Sequence, residues 1–374
     1  MNVRLAWRNT AHQKWRTTLA LSAISFAVVL LFLQLALYDS CELSAYILLD
    51  MLDFDAILIG ADYSSLQQPG SFPRPRLYQA LGVPGVGSAY PVYMGLVPWR
   101  NVDDGSRHPV LVLGVAPGAP IFLQEEVRDQ LYRVNQTDRV LLDRQMLPFY
   151  GPAREGLVSQ AGGHTVTVAG LFRNGAGFDA GGLLVASDQT FNRLGFSLET
   201  PTLGLIKLRP GMDLPTCVAA LRETLPRDVK VLTREELGAQ ENYYWTRGKP
   251  IGIMFSSGVF VGIIVAAVIL YQVLAVDISR RLREFATMKA MGFSDLQINM
   301  TVLQQALLLM LVSFALGLVL SFGLYAVLEV GTGFPVKLTF RRAVLVFGLT
   351  LLVSLTSGTL ALRKLRAADP ADLF

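Results

Sequence analysis

The residues able to do chemistry are few in this chain of 374 residues, and they do not gather. His12, His108 and His164 are scattered, with no spacing that would hold a metal ion. Asp103 and Asp104 stand side by side, but Gly105 follows and the setting is a polar turn. Gly170 to Gly177 is glycine-bearing, yet it lacks the Lys-Ser/Thr ending of a phosphate loop and reads as a turn after a β-like run. No G-x-S-x-G elbow is present. With no G-x-x-x-x-G-K-[ST] anywhere, the chain is not expected to hydrolyse ATP itself. No catalytic residue, metal site or cofactor of its own is expected. Cys41 and Cys217 are too few for a disulfide framework and are expected to be unpaired.

One segment does carry polar and apolar groups in a usable pattern. Residues 277–295 read Asp-Ile-Ser-Arg-Arg-Leu-Arg-Glu-Phe-Ala-Thr-Met-Lys-Ala-Met-Gly-Phe-Ser-Asp. Arg280 and Glu284 are four apart, an intrahelical pair worth a few tenths of a kcal/mol. Phe285, Met288 and Gly292 share a helical face, and Gly292 suits a helix C-terminus. Ser294 and Gln297 then form a capping box that opens a new helix. The apolar face of this short helix has two uses open to it: to lie on a membrane, or to dock on a partner.

The elements that must position this segment are long apolar runs. The chain is 52% hydrophobic. Four stretches carry no charge: Thr17 to Tyr38, Pro250 to Val276, Ala306 to Leu328 (uncharged from Leu296) and Ala343 to Leu362. Each is long enough to cross ~30 Å of hydrocarbon as a helix. A charge at mid-span would cost roughly 2.5–3.5 kcal/mol, so clean runs are the expected signature. Their interiors hold Gln34, Gln272, Gln304 and Gln305 but no acid or base, which argues against a proton- or ion-coupled transporter. Gly258, Gly262 and Ala266 in the second span, and Ser354 and Gly358 in the fourth, have the four-residue spacing of close helix packing. Self-association through the second span is one use of it.

Charge sets the orientation. Arg4, Arg8, Lys14 and Arg16 precede the first span, Arg280, Arg281, Arg283 and Lys289 follow the second, and Arg363, Lys364 and Arg366 follow the fourth. These are the cytoplasmic segments by the positive-inside rule, although Lys337, Arg341 and Arg342 weaken the contrast. The net charge of +4 therefore points to the membrane rather than to nucleic acid. The first run is too long for a cleaved signal peptide, and Leu37-Tyr38-Asp39 offers no cleavage site. Residues 1–16 suit an amphipathic interfacial helix, with a plain basic flank as the alternative.

The expected layout is a cytoplasmic N-terminal helix (1–16), span one (17–38), an extracytoplasmic domain (39–249), span two (250–276), a cytoplasmic loop (277–295), span three (296–328), a short loop (329–342), span four (343–362) and a cytoplasmic tail (363–374). Fifteen of the 18 prolines fall in the large domain, which excludes one long helical stalk. Strands are expected at 56–59, 110–115, 139–143, 165–172, 183–186, 204–208 and 229–232. Helices are expected at 187–194, at 214–225 and from the Thr233/Glu236 capping box onward. The fold class is thus a four-span α-helical membrane protein with an α+β domain, either a single lobe or two lobes with residues 90–200 as the inner one.

The layout and two motifs resemble the MacB/FtsX class of ABC-transporter permeases. Arg283-Glu284-Phe285-Ala286-Thr287-Met288-Lys289-Ala290-Met291-Gly292 is similar to that family's pattern after its second span. Leu362-Arg363-Lys364-Leu365-Arg366-Ala367-Ala368-Asp369-Pro370-Ala371-Asp372-Leu373-Phe374 is similar to its basic tail. Thr233-Arg234-Glu235-Glu236, Pro250-Ile251-Gly252, Tyr271-Gln272-Val273-Leu274, Arg76 to Gly82 and Trp99-Arg100-Asn101 further resemble the cyanobacterial DevC-type permease of a heterocyst-glycolipid exporter. The resemblance implies a type VII ABC architecture in the inner membrane, with both termini cytoplasmic and the domain periplasmic. It implies a homodimer, a separate ATPase that binds ATP and Mg, a periplasmic adaptor and an outer-membrane TolC-like channel. On it, Phe285, Met288, Lys289, Met291 and Gly292 would dock on the ATPase, with Arg283 and Glu284 fixing the loop. Export of a lipid-like or glycolipid cargo is the leading expectation. The alternative is an FtsX-like regulator that transmits an ATPase signal to cell-wall hydrolases.

Overall fold

The computed structural model describes residues 14–174, 181–280, 287, 291–292, 294–332 and 338–366. The chain divides into two compact units, Met1–Tyr38 with Ile253–Val327 and Val336–Phe374, and Asp39–Gly252 with Leu328–Pro335.

The first unit is built from apolar helices. They are α1 (Lys14–Met51, whose residues from Asp39 onward belong to the second unit), α7 (Pro250–Arg280), α8 (Asp295–Thr332) and α9 (Phe340–Arg366). Each contains a segment long and apolar enough to cross a membrane: Thr18–Met51, Pro250–Val276, Asn299–Glu329 and Phe340–Ala361. At 1.5 Å per residue, the 38 residues of α1 extend roughly 57 Å, far more than a bilayer core needs. The helix therefore does not stop at Tyr38, where the uncharged run ends. Helix α9 likewise begins at Phe340, so Arg341 and Arg342 belong to its first turn and not to a loop. Gly292 has φ +90, the left-handed geometry of a helix end, and the Met291 amide donates to Thr287 O at 3.0 Å. The Ser294/Gln297 capping box is formed in both directions, at 3.0 and 3.4 Å.

The second unit holds a nine-stranded sheet. In chain order its elements are β1 (Ala56–Gly60), α2 (Pro75–Leu81), β2 (Val86–Arg100), β3 (Arg107–Val115), α3 (Glu125–Arg128), β4 (Arg139–Asp143), β5 (Val158–Ala161), β6 (His164–Phe172), β7 (Leu183–Ser187), α4 (Asp188–Arg193), β8 (Leu203–Leu208), α5 (Leu214–Thr224), β9 (Val229–Thr233) and α6 (Arg234–Tyr243). The strand order is β3-β7-β4-β6-β5-β2-β8-β1-β9, and β2 also pairs with β3. That second pairing closes β2, β3, β7, β4, β6 and β5 into a ring, while β8, β1 and β9 continue from the first half of β2. Closure leaves few open edges and lets alternate side chains fill an interior. Tyr93, Val97, Trp99, Val110, Val112, Val140, Leu142, Val166, Val168, Leu184 and Ala186 share one core. Their neighbours Leu113, Val115, Leu141, Leu183 and Val185 face a second core with β1, β8 and the end of α1. Strands buried on both faces read as continuous apolar runs, which is why β4 and β7 were legible from sequence.

The 15-residue β2 was not expected as a strand, because Gly87, Pro91, Gly95 and Pro98 interrupt it. Gly95 makes room for the ring of Phe196. A side chain there would collide with it. β2 also joins the ring to the rest of the sheet, so one nine-stranded sheet runs through the unit.

Candidate functional site

Two sets of contacts position helices, one in each unit. In the first unit, α1 packs against α7 and α8. A Cβ at Gly258 would collide with the Gln34 side-chain amide, and one at Gly262 would sit 3.0 Å from Leu31 Cδ2. Ala266 is 3% exposed. The Gly258/Gly262/Ala266 face is therefore filled by α1 of the same chain, and a second copy cannot use it for self-association. A second stripe, missed from sequence, runs along α8 through Ser313, Gly317 and Ser321. A Cβ at Gly317 would lie 2.6 Å from Val28 Cγ1, and Ser25 Oγ donates to Ser313 O at 3.1 Å. Its four-residue spacing was a readable signal. On α9, Ser354 Oγ donates to Ala306 O and Ser357 Oγ to Ala267 O, and Gly358 admits Leu303.

The helices also contain a buried cation, placed just ahead of the uncharged run 343–362. Arg342 is 7% exposed. Its guanidinium carbon lies 5.6 Å from the centre of the Tyr325 ring, and Nη1 is 3.4 Å from Tyr325 Oη. Tyr325 Oη donates in turn to Phe32 O at 2.6 Å. The chain of contacts runs α9–α8–α1. In the sequence Arg342 stands just before the uncharged run that begins at Ala343, and the helix starts two residues ahead of it at Phe340.

In the second unit, the end of α1 pairs with α6. The capping box that starts α6 is complete: Thr233 Oγ1 accepts from Glu236 N, and Glu236 Oε2 accepts from Thr233 N. A hydrogen bond from Arg222, first among the causes, holds the Glu236 carboxyl below its ordinary pKa. Gly238 brings the two helices close, since a Cβ there would be 2.8 Å from Tyr46 Cε1. Arg234 Nη1 donates to Leu49 O at 2.9 Å and Nη2 donates to Leu52 O, so a cation closes the C-terminal end of α1 where the dipole is negative. Its guanidinium carbon sits 4.5 Å from the centre of the Phe54 ring.

Further along α6, Glu241 is fully buried. Its Oε1 accepts from Tyr63 Oη at 2.5 Å and from Leu66 N at 3.1 Å. Burial, reinforced by the Glu241 charge, pushes the Tyr63 hydroxyl far above its ordinary pKa. After Tyr243 the helix widens into a π-turn, Tyr244–Gly248, and Lys249 is extended before α7 begins at Pro250. Such turns are frequent at functional sites. Gly252 is needed there, because a Cβ would strike the carbonyls of Trp245 and Thr246.

Of the loop residues expected to contact a partner, Met291 is 64% exposed and Gly292 forms the turn. Arg283, Glu284, Phe285, Met288 and Lys289 lie outside the described residues. The described residues contain no cluster of His, Cys, Asp or Glu able to hold a metal ion. Cys41 and Cys217 are free and buried.

Residues 256–370 match the family of the FtsX-like permease C-terminal region. The FtsX-like segment takes in nearly all of α7, the loop after it, and α8 and α9. No curated protein sequence matches the chain. Among solved structures, the periplasmic region of MacB from Actinobacillus actinomycetemcomitans aligns at 11% identity and a TM-score of 0.36, over 50% of this chain and 92% of that one. The extracellular domain of the noncanonic ABC-type transporter YknZ from Gram-positive bacteria aligns at 12% identity and a TM-score of 0.34, over 48% and 99%.

Proposed function

We infer that the chain is the membrane-spanning permease subunit of an ATP-driven exporter, in which motion rather than a pore carries the work. The observation that carries this is the FtsX-like segment, which includes the loop 277–295. A permease without a phosphate loop needs a separate ATPase to bind ATP and Mg. Arg283, Glu284, Phe285, Met288, Lys289, Met291 and Gly292 are its docking residues. The termini are cytoplasmic, the α+β domain is periplasmic, and the architecture is of type VII. Two copies act together and use a surface other than the Gly258/Gly262 face. A periplasmic adaptor and a TolC-like channel complete the assembly, and the cargo is lipid-like, as in the DevC type. Continuity of α1, one helix whose residues belong to both units, supports a transmitted movement.

The test is ATPase stimulation by the full-length permease in lipid nanodiscs. Glu284→Lys or Met288→Glu is expected to abolish stimulation while the permease stays folded. Unchanged stimulation by both variants sinks the docking assignment. The FtsX-like match equally favours a second reading, a regulator of cell-wall hydrolases. Affinity capture on the α+β domain separates them: an adaptor and a channel favour export, a hydrolase favours regulation.

A further inference from the structure

The outer face of the β2–β3 hairpin carries cross-strand pairs in a fixed order. Leu96 is opposite Leu111, Pro98 opposite Pro109 and Arg100 opposite Arg107. The side chains alternating with these on β2, Val97 and Trp99, fill the ring interior. Leu96 is 56% exposed, and Pro98, Arg100, Arg107 and Pro109 are exposed as well.

The two arginines are placed against their own electrostatics. Two prolines cannot exchange N–H bonds, so Pro98–Pro109 is a non-hydrogen-bonded pair, and the Pro98 carbonyl instead accepts from Gly162 N at 3.0 Å. Counting two positions on, Arg100–Arg107 is a pair of the same kind, where opposed side chains come closest. Like charges there oppose pairing. The carboxylate of Asp104, close in sequence, is used elsewhere. Asp104 Oδ1 accepts from Ser106 N and Oγ within the turn. Among the described residues neither guanidinium has an ion pair.

The hairpin is also held still. Trp99 Nε1 donates to Tyr150 O, Asn101 Nδ2 to Phe149 O and Ser159 Oγ to Arg100 O. A face already ordered loses little entropy when something binds it.

We propose that this face, Leu96, Pro98 and Arg100 with Arg107, Pro109 and Leu111, docks a protein segment that presents carboxylates beside apolar side chains. Charge complementarity selects the acid: two adjacent unpaired guanidiniums match carboxylates in bidentate geometry. The order of the pairs selects protein over membrane. A hairpin that enters a bilayer leads with apolar residues and keeps its basic ones behind at headgroup level. Here the arginines sit nearest the turn and the leucines further from it. The partner engages by side chains and not by adding a strand: β3 is already paired with β7 from Leu111 onward, and on the short stretch before it Pro109 offers no N–H.

The test places a photo-crosslinking amino acid at Leu96 in the full-length chain in its native cells, and identifies adducts by mass spectrometry. One protein adduct is expected. Its yield should fall about tenfold in the R100E/R107E variant. Reversing the partner's own acidic residues to lysine should restore it. The milder R100Q/R107Q variant, which should also lower the yield, serves if the first does not accumulate. A yield unmoved by these changes, a phospholipid adduct, an adduct to a second copy or no adduct at all overturns the proposal. Co-purification of an ATPase subunit, measured in the same cells, keeps this result separate from the permease reading.

Discussion

The helix contacts of the two units solve one problem with different chemistry. Within the first, α1 meets α7 and α8 through Gly258, Gly262 and Gly317, with serine hydroxyls bonded to carbonyls. Within the second, α1 meets α6 through one glycine and a set of strong polar anchors: Arg234 on the end of α1, Glu241 on Tyr63 and Leu66, Asn242 on Glu42. Lipid is as apolar as leucine, so spans gain little from burying apolar surface and rely on close backbone approach. In water, burial drives packing and leaves polar groups free to fix geometry. The difference teaches that the same helix can be held loosely by shape in one place and rigidly by charge in another. It predicts distinct responses to mutation.

The largest effect is expected at Glu241. Glu241→Ala leaves Tyr63 Oη and Leu66 N without their acceptor in a buried site. Stranding two such groups costs about 3 kcal/mol. Thermal unfolding of the full-length protein in detergent should show it as a lower transition for the α+β domain. Glu241→Gln keeps an acceptor oxygen and should recover most of the loss. If Ala and Gln behave alike, the anchor is not an anchor.

Next is overpacking in the first unit. Gly317→Leu forces atoms into Val28. Overpacking of this sort costs about 2 kcal/mol. The matching change Gly238→Leu, against Tyr46, tests the comparison directly. If shape governs only the apolar helices, Gly317→Leu should lower its unit's transition more than Gly238→Leu lowers that of the α+β domain, where Arg234 and Glu241 still hold α6. Equal effects would break the contrast.

A smaller effect follows for the hydroxyls. Ser25→Ala removes the bond to Ser313 O. Such interhelical bonds average about 0.6 kcal/mol in membrane proteins. A loss as large as that from Glu241→Ala would mean that polar groups anchor both units alike.

How much of this was readable from sequence depends on what signals each feature emits. The apolar helices, β4 and β7 announce themselves by apolar runs, β6 by its alternating Thr165-Val166-Thr167-Val168 start, and the capping boxes at Thr233 and Ser294 by spacing alone. β2 was hidden by its glycines and prolines, whose reasons lie in distant residues: Phe196 at Gly95 and Pro109 across from Pro98. Among the site residues, Ser313, Gly317 and Ser321 carry the four-residue spacing of close helix packing. Arg342 reads as a loop residue because a charge bounds the uncharged run, whereas the helix begins at Phe340. Glu241 emitted no signal at all. It is one acid in the polar helix Arg234–Tyr243, and only the fold puts it beneath Tyr63.

The smallest expected effect concerns pH and the anchor most open to water. Glu236 is held below its ordinary pKa, first by the hydrogen bond from Arg222 and then by the Thr233 backbone N–H. A carboxyl depressed by folding contributes stability above its unfolded value, 4.5 for this group. That contribution is lost as pH falls through the lower, folded value, because the unfolded chain then takes up the proton more readily. The α+β domain should therefore unfold at slightly lower temperature as pH drops below 4.5, and Glu236→Gln should flatten part of that slope. Both groups are nearly half exposed, so solvent screens the pair and the change should be small beside that from Glu241→Ala. The apolar unit has no such carboxylate anchor among its described contacts, and its transition should not follow the same slope. A parallel acid slope in both units would show that the polar anchors are not what sets α6 apart.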